Sequence, residues 1–153
     1  MATAPKKTAN AKPAAHAKDK LSIHEALIYI MVAAAAIDRR IKDVEVERIG
    51  SIVRFYPIFR TYDEANLPRL AAECSELLSR DPSLRTFLDL VTAAVPRRLH
   101  EAAYALAIEV SAADLKGAYE EIKLLDHLAD RFNLDRLITA AIERSATARH
   151  ETL

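Results

Sequence analysis

Residues 24–38 read HEALIYIMVAAAAID, and residues 100–114 read HEAAYALAIEVSAAD. Both stretches begin with His-Glu-Ala, continue through an apolar run and end on an aspartate. A glutamate follows each aspartate after the same interval, at Glu45 and Glu121. Apolar residues cover most sides of a helix built from the first stretch, as is typical of a helix buried all round. The repeat predicts a duplicated helical domain with one central helix in each half.

The composition favours helix over sheet. Glycine occurs only twice in 153 residues, hydrophobic residues make up 51% of the chain, and alanine, the best helix former, is abundant. A chain of this length fits one domain with its own core. We therefore expect an all-α fold, a compact bundle of about seven helices built from two related helix-turn-helix halves.

Several helix boundaries are marked in the sequence. Ser22 and Glu25 have the spacing of a capping box, which predicts that the first helix begins there. Asp81, followed by proline, predicts the start of a fourth helix, and Asn133 or Asp135 separates the sixth helix from the seventh. The sixth helix carries a predicted core-facing stripe of Ile122, Leu125, Leu128 and Phe132.

The first 20 residues differ from the rest in composition. They contain five lysines, one aspartate and no large apolar side chain after Met1, so we expect residues 1–20 to be a disordered basic tail and residues 21–150 to form the domain. The tail can be solubilising or a weak polyanion-binding arm, and we expect no specific nucleic-acid binding. No segment reads as a signal peptide or a transmembrane helix. With Cys74 as the only cysteine, these features predict a cytoplasmic protein.

Four acidic residues recur at matching places in the two halves. If the halves pack about a pseudo-twofold axis, these carboxylates approach one another, and oxygen ligands of this kind suit Ca²⁺ or Mg²⁺. Helix capping and pairing with nearby cations such as Arg39 explain the same residues without a metal. The candidate metal ligands are Asp38, Glu45, Asp114 and Glu121. His24 and His100 have no second histidine on the same turn, and we interpret them as helix-start residues.

The stretches AAAAIDRRIKDVE at 33–45 and SAADLKGAYEE at 111–121 resemble the tellurite-resistance TerB family. That family includes TerB-like domains related to the N-terminal region of some membrane-anchored J-domain co-chaperones. The resemblance implies an all-helical fold, a role in tellurite and other stress responses, and a divalent metal bound by the acidic residues between helices. The family usually has glycine directly after the aspartate, where this chain has Arg39 and Leu115.

Three hypotheses follow for the function. The first is a non-enzymatic, cytoplasmic TerB-like domain that acts through a protein partner and is modulated by a divalent cation. The second is a structural adaptor without metal, in which the acidic residues are helix caps and ion pairs and surface grooves hold a partner helix. The third is an enzyme using paired carboxylates as acid and base. We expect no enzyme, because the chain has no glycine-rich phosphate loop, Gly-x-Ser-x-Gly or Cys-x-x-Cys motif. The sequence does not predict the oligomeric state.

Overall fold

The computed structural model describes residues 19–36, 41, 43–112 and 119–153. For residues 119–121 it describes the backbone but not the side chains. The described part of the chain contains α-helices and short 3₁₀ turns and no strand, which confirms the predicted all-α bundle. The 3₁₀ turns are Pro57–Phe59, Glu64–Asn66 and Arg97–Leu99. The helices are α1 Ile23–Ala36, α2 Asp43–Phe55, α3 Leu67–Arg80, α4 Arg85–Ala94, α5 His100–Ser111, α6 Tyr119–Arg131 and α7 Arg136–Arg149.

The central helix of the bundle is α1. Every residue from Ala26 to Ala35 is buried, and the helix packs against α3, α5 and α4. Small alanines fill the second half of α1, so neighbouring helices can approach it closely on all sides. Burial on every face is what its apolar sequence predicts.

The second half of the chain repeats this arrangement around α5. Helix α5 packs against α1, α7 and α6, as α1 packs against α5, α3 and α2. Each half therefore consists of a central helix followed by two helices that pack on it. None of the described helices combines the length and the hydropathy needed to cross a membrane.

Two predicted helix starts are confirmed by their hydrogen bonds. The amide of Ser22 donates to Glu25 Oε2 (2.9 Å), and the amide of Glu25 donates to Ser22 Oγ (3.2 Å), which completes the capping box. Asp135 caps α7 by accepting a hydrogen bond from the amide of Leu137 at 2.7 Å. These side chains bind backbone amides that a helix leaves unpaired at its start.

The predicted start of the fourth helix at Asp81 is wrong, because α4 begins at Arg85. Asp81 accepts hydrogen bonds from the amides of Ser83 (3.1 Å) and Thr86 (2.8 Å). A hydrogen bond from the Ser83 hydroxyl, and after it the bond from the Thr86 amide, lower the pKa of Asp81 to about 2. Leu84 then adopts a left-handed conformation with φ 62°. The aspartate organises a turn ahead of the helix instead of capping its first residue.

The predicted inward stripe of α6 also needs a correction. Ile122 is 53% exposed, whereas Leu124 is fully buried together with Leu128. At 100° per residue, Ile122 lies about 120° around the helix from Leu128 and Leu124 only about 40°. The core-facing stripe of α6 is therefore Leu124, Leu128 and Phe132, and the predicted Leu125 is partly buried against the same core.

Candidate functional site

Most of the predicted acidic site lies outside the described residues. Asp38, Asp114 and the side chain of Glu121 are not among them, and Glu45 is half-exposed in the first turn of α2. Within the described ranges no group of three or more His, Cys, Asp or Glu side chains could hold a metal ion. The four-carboxylate site therefore stays a prediction.

One contact joins α2, which carries Glu45, to the end of α5. The Arg48 guanidinium on α2 donates to the carbonyl of Val110 in the last turn of α5, with an N to O distance of 3.2 Å. The helix that carries Glu45 thus lies beside the end of the helix that precedes Asp114. A cation at this position also interacts favourably with the negative end of the α5 dipole.

His24 and His100 each contact the segment that follows the second helix of the same half. That helix is α2 for His24 and α6 for His100. His24 Nε2 lies 2.9 Å from the carbonyl oxygen of Ile58, just beyond α2. The His24 ring also packs against Phe59 and Tyr62, with ring centroids 5.7 and 5.4 Å away. The repeat of this residue thus has a structural explanation that needs no metal.

The matching histidine in the second half makes more contacts. His100 Nε2 lies 3.0 Å from the carbonyl oxygen of Val95 at the end of α4. Its Nδ1 lies 3.3 Å from the carbonyl oxygen of Phe132 at the end of α6, and its ring stacks on that of Phe132 at 4.2 Å. One side chain therefore connects the start of α5 to the ends of two other helices.

A shallow cavity of about 290 Å³ lies where α2 passes into the 3₁₀ turns. Its lining includes Phe55, which is 73% exposed, and the ion pair of Arg54 with Glu64, which is bidentate with both distances at 3.1 Å. Glu64 is the only carboxylate in this lining. The paired carboxylates that acid-base catalysis would need do not meet in this cavity.

The most open surface of the fold is on α7, the last helix. Ala146 is its only buried residue among those described, and α7 packs chiefly against α5. Leu137, an apolar residue near the start of this helix, is 81% exposed. In the first half, α4 packs on both α1 and α3. In the second half, no further helix of the described chain packs in this way on α5 and α7, the corresponding pair of helices.

Two polar contacts define how α5 and α7 lie side by side. The Tyr104 hydroxyl donates to Glu143 Oε1 at 2.6 Å. Further along both helices, Arg149 Nη2 donates to Glu109 Oε2 at 2.5 Å. Residue numbers rise together along the pair, so the two helices run in the same direction. Burial, and after it the neighbouring Glu143, raises the pKa of Tyr104, which stays a neutral donor.

From exposure and helical spacing we infer a groove between these helices, which we call the α5–α7 groove. The side chains on the groove side of α5 are partly or fully exposed, although most of this helix is buried. At 100° per residue, the side of α7 that carries Arg149 also carries Ile138, which is exposed, and Ile142, which is half-buried. Because Arg149 meets Glu109, these two sides face the same groove. The groove is formed by Glu101, Ala102, Ala105 and Glu109 of α5 and by Ile138, Ile142, Ser145 and Arg149 of α7.

The matching residues of α1 are covered by protein. Ala26, Tyr29 and Ala33 occupy the positions in α1 that Ala102, Ala105 and Glu109 occupy in α5, and all three are buried. The same side of the repeated helix is therefore buried in α1 and partly exposed in α5. The repeat pattern does not predict this groove, although a glutamate within the apolar run of the second copy marks it.

Glu109 closes one end of the groove with a compact charge cluster. Its Oε1 lies 3.1 Å from His150 Nε2, and its other oxygen accepts from Arg149. Burial alone would raise the pKa of Glu109, but the hydrogen bonds from Arg149 and His150 outweigh burial and lower it. A carboxylate with a lowered pKa stabilises the fold above its unfolded pKa of about 4.3, and this contribution disappears as the pH falls through the folded value.

We expect Glu109→Gln to lower the free energy of unfolding by about 1.5 kcal/mol near neutral pH, because it removes charge-assisted hydrogen bonds to a mostly buried carboxylate. The loss should shrink as the pH is lowered from neutral through the folded pKa of Glu109, because the carboxylate of the unmodified chain then becomes protonated as well. Urea unfolding over a series of pH values, from neutral into the acid range, checks this. A loss that does not change with pH would show that the charge of Glu109 does not contribute.

Compared with protein-family models, curated proteins and solved structures, the chain gives no match in any of the three. The resemblance to the TerB family stays a prediction based on the two acidic stretches.

Proposed function

We propose that this chain is a non-enzymatic, cytoplasmic adaptor of the TerB-like class, and that it binds a protein partner in the α5–α7 groove. The observation that carries the proposal is that α5 and α7 leave a groove open on the surface, whereas the corresponding side of α1 is buried. Partly exposed apolar side chains on two packed helices are typical of a protein-binding surface.

The shape of the groove supports a protein partner over a small molecule. On the α5 side it carries the half-buried Ala102 and Ala105, and on the α7 side Ile138 and Ile142. From Ile138 to Arg149 it extends about 16 Å, at 1.5 Å rise per residue. Small-molecule sites are concave and bury most of the ligand, which a long, shallow groove does not do. A partner segment can instead lie along its whole length.

A photo-reactive amino acid at position 105, in the middle of the groove, tests the proposal. We expect irradiation of cells that express the chain to give one discrete protein adduct. The same amino acid at position 72, an exposed alanine on α3, should not give it. The purified partner should then bind the unmodified chain and bind Ala105→Arg at least about tenfold more weakly. Identical adducts from both positions, or equal binding by Ala105→Arg, would contradict a partner site in the groove.

A cation that modulates this adaptor is a second proposal, with Asp38, Glu45, Asp114 and Glu121 as its ligands. The resemblance implies it, and the contact of Arg48 with the end of α5 supports it, because that contact draws the two halves together beside Glu45. When bound, the cation would neutralise carboxylates that otherwise repel one another.

Thermal unfolding with EDTA and then with each divalent cation in excess tests the cation proposal. A cation present at 100 times its Kd should add about 2.7 kcal/mol, a rise of several degrees for a domain of this size. The combined Asp38→Ala and Asp114→Ala variant should lose this rise. An unchanged unfolding temperature with Ca²⁺, Mg²⁺, Mn²⁺ and Zn²⁺ would leave the acidic residues as helix caps.

A further inference from the structure

We infer that the partner enters the α5–α7 groove as an amphipathic α-helix, with an apolar stripe on the groove and a basic residue facing Glu101. This inference rests on the proposed function, since it specifies what the protein-binding groove accepts. An extended segment or a second copy of this chain would be a different occupant, and the test below separates these cases.

The first half of the molecule provides the template for the occupant. Helix α4 packs there on both α1 and α3. It buries Phe87, Leu88 and Val91, which recur at helical spacing on one side. Because α5 and α7 form the corresponding pair of helices, a third helix with a similar stripe fits the corresponding place. In that groove Ala102 and Ala105 leave room for side chains larger than their own.

The charges along the groove specify the partner further. Glu109 is already paired with Arg149 and in contact with His150 at one end. Glu101, at the other end, is exposed and forms no ion pair with any described residue. An occupant therefore gains from a cation opposite Glu101 and gains nothing from one opposite Glu109. Complementarity of this kind fixes the orientation of a bound helix more than its affinity.

A synthetic peptide with the sequence of residues 81–95 is a suitable probe, since it contains the apolar stripe of α4 and begins its helix with Arg85. We expect saturable changes in the amide resonances of Ala102, Ala105, Ile138 and Ile142 when the peptide is added to the isotope-labelled full chain, at up to about 1 mM. A peptide carrying Leu88→Asp and Val91→Asp should leave these resonances unchanged.

Three variants of the full chain make the result specific. Ala105→Arg fills the middle of the groove and should weaken peptide binding at least about tenfold. Ala72→Arg, the same change at an exposed position on α3, should leave it unchanged. Glu101→Gln should weaken binding about threefold, in line with a partly exposed ion pair. Circular dichroism of each variant shows whether the fold is retained.

Several results would overturn the inference. The first is that no saturable change appears, and the second is that Ala105→Arg binds the peptide as well as the unmodified chain does. Changes confined to α1 and α3 would mean that the peptide displaces α4 instead. A dimer of the chain alone that Ala105→Arg dissociates would identify a second copy as the occupant. A crosslinked partner at position 105 without peptide binding would overturn the helical occupant but leave the proposed function intact.

Discussion

Ile30→Ala should lower the free energy of unfolding by about 3 kcal/mol and the unfolding temperature by about 10 °C. Ile30 is 0% exposed in the middle of α1, the helix against which α3, α4 and α5 all pack. Truncation to alanine removes three carbon atoms and leaves a cavity between helices that cannot close it fully. The loss therefore includes both the transfer free energy of the side chain and the cost of the cavity.

The matched control for this prediction is Leu137→Ala on α7. Leu137 is 81% exposed, so its truncation should change the free energy of unfolding by no more than about 0.5 kcal/mol. Urea unfolding followed by circular dichroism measures both variants under one set of conditions. If Ile30→Ala were as mild as Leu137→Ala, α1 would not be the centre of the bundle.

The central helices could be predicted because their sequences allow few alternatives. A run in which nearly every residue from Ala26 to Ala35 is apolar has no polar side to turn towards water. The capping box of Ser22 and Glu25 and the cap at Asp135 were also predictable, since each rests on local hydrogen bonds between near neighbours.

Boundaries that depend on tertiary contacts were predicted less well. Asp81 with the following proline has the pattern of a helix start, but its carboxylate binds Ser83 and Thr86 and forms a turn. Ile122 was assigned to the core because its spacing roughly fits a helical stripe. Only the packing of α6 against α5 and α4 selects Leu124 over Ile122.

The α5–α7 groove could not be predicted from local patterns. The two copies of the repeat read alike in sequence, yet the same side is buried in α1 and partly exposed in α5. The single hint is Glu109, a carboxylate where the first copy has Ala33. Whether such a residue is buried with a partner or exposed depends on which helices pack over it. The acidic positions Asp38 and Asp114 lie outside the described residues, so their role stays a prediction.

His100→Ala should lower the free energy of unfolding by about 2 kcal/mol. The change removes the ring contacts with the carbonyl oxygens of Val95 and Phe132, at 3.0 and 3.3 Å. It also removes a stacked ring at 4.2 Å from Phe132. A hydrogen bond contributes about 1 kcal/mol net and an aromatic pair about 0.5–1.5 kcal/mol. Because the contacts join three helices, amide exchange should accelerate at the ends of α4 and α6 together.

His24→Ala provides the comparison, because this residue holds the matching place at the start of α1. Its ring lies 2.9 Å from one carbonyl oxygen, that of Ile58, and packs against two aromatic rings, those of Phe59 and Tyr62. A neutral imidazole carries a single N–H donor, so each histidine donates one hydrogen bond. The loss on His24→Ala should therefore also be about 2 kcal/mol. His100→Gln, which keeps an amide donor, should recover part of the loss in urea unfolding. A much smaller loss on His24→Ala than on His100→Ala would show that the repeated histidines are not equivalent in the two halves.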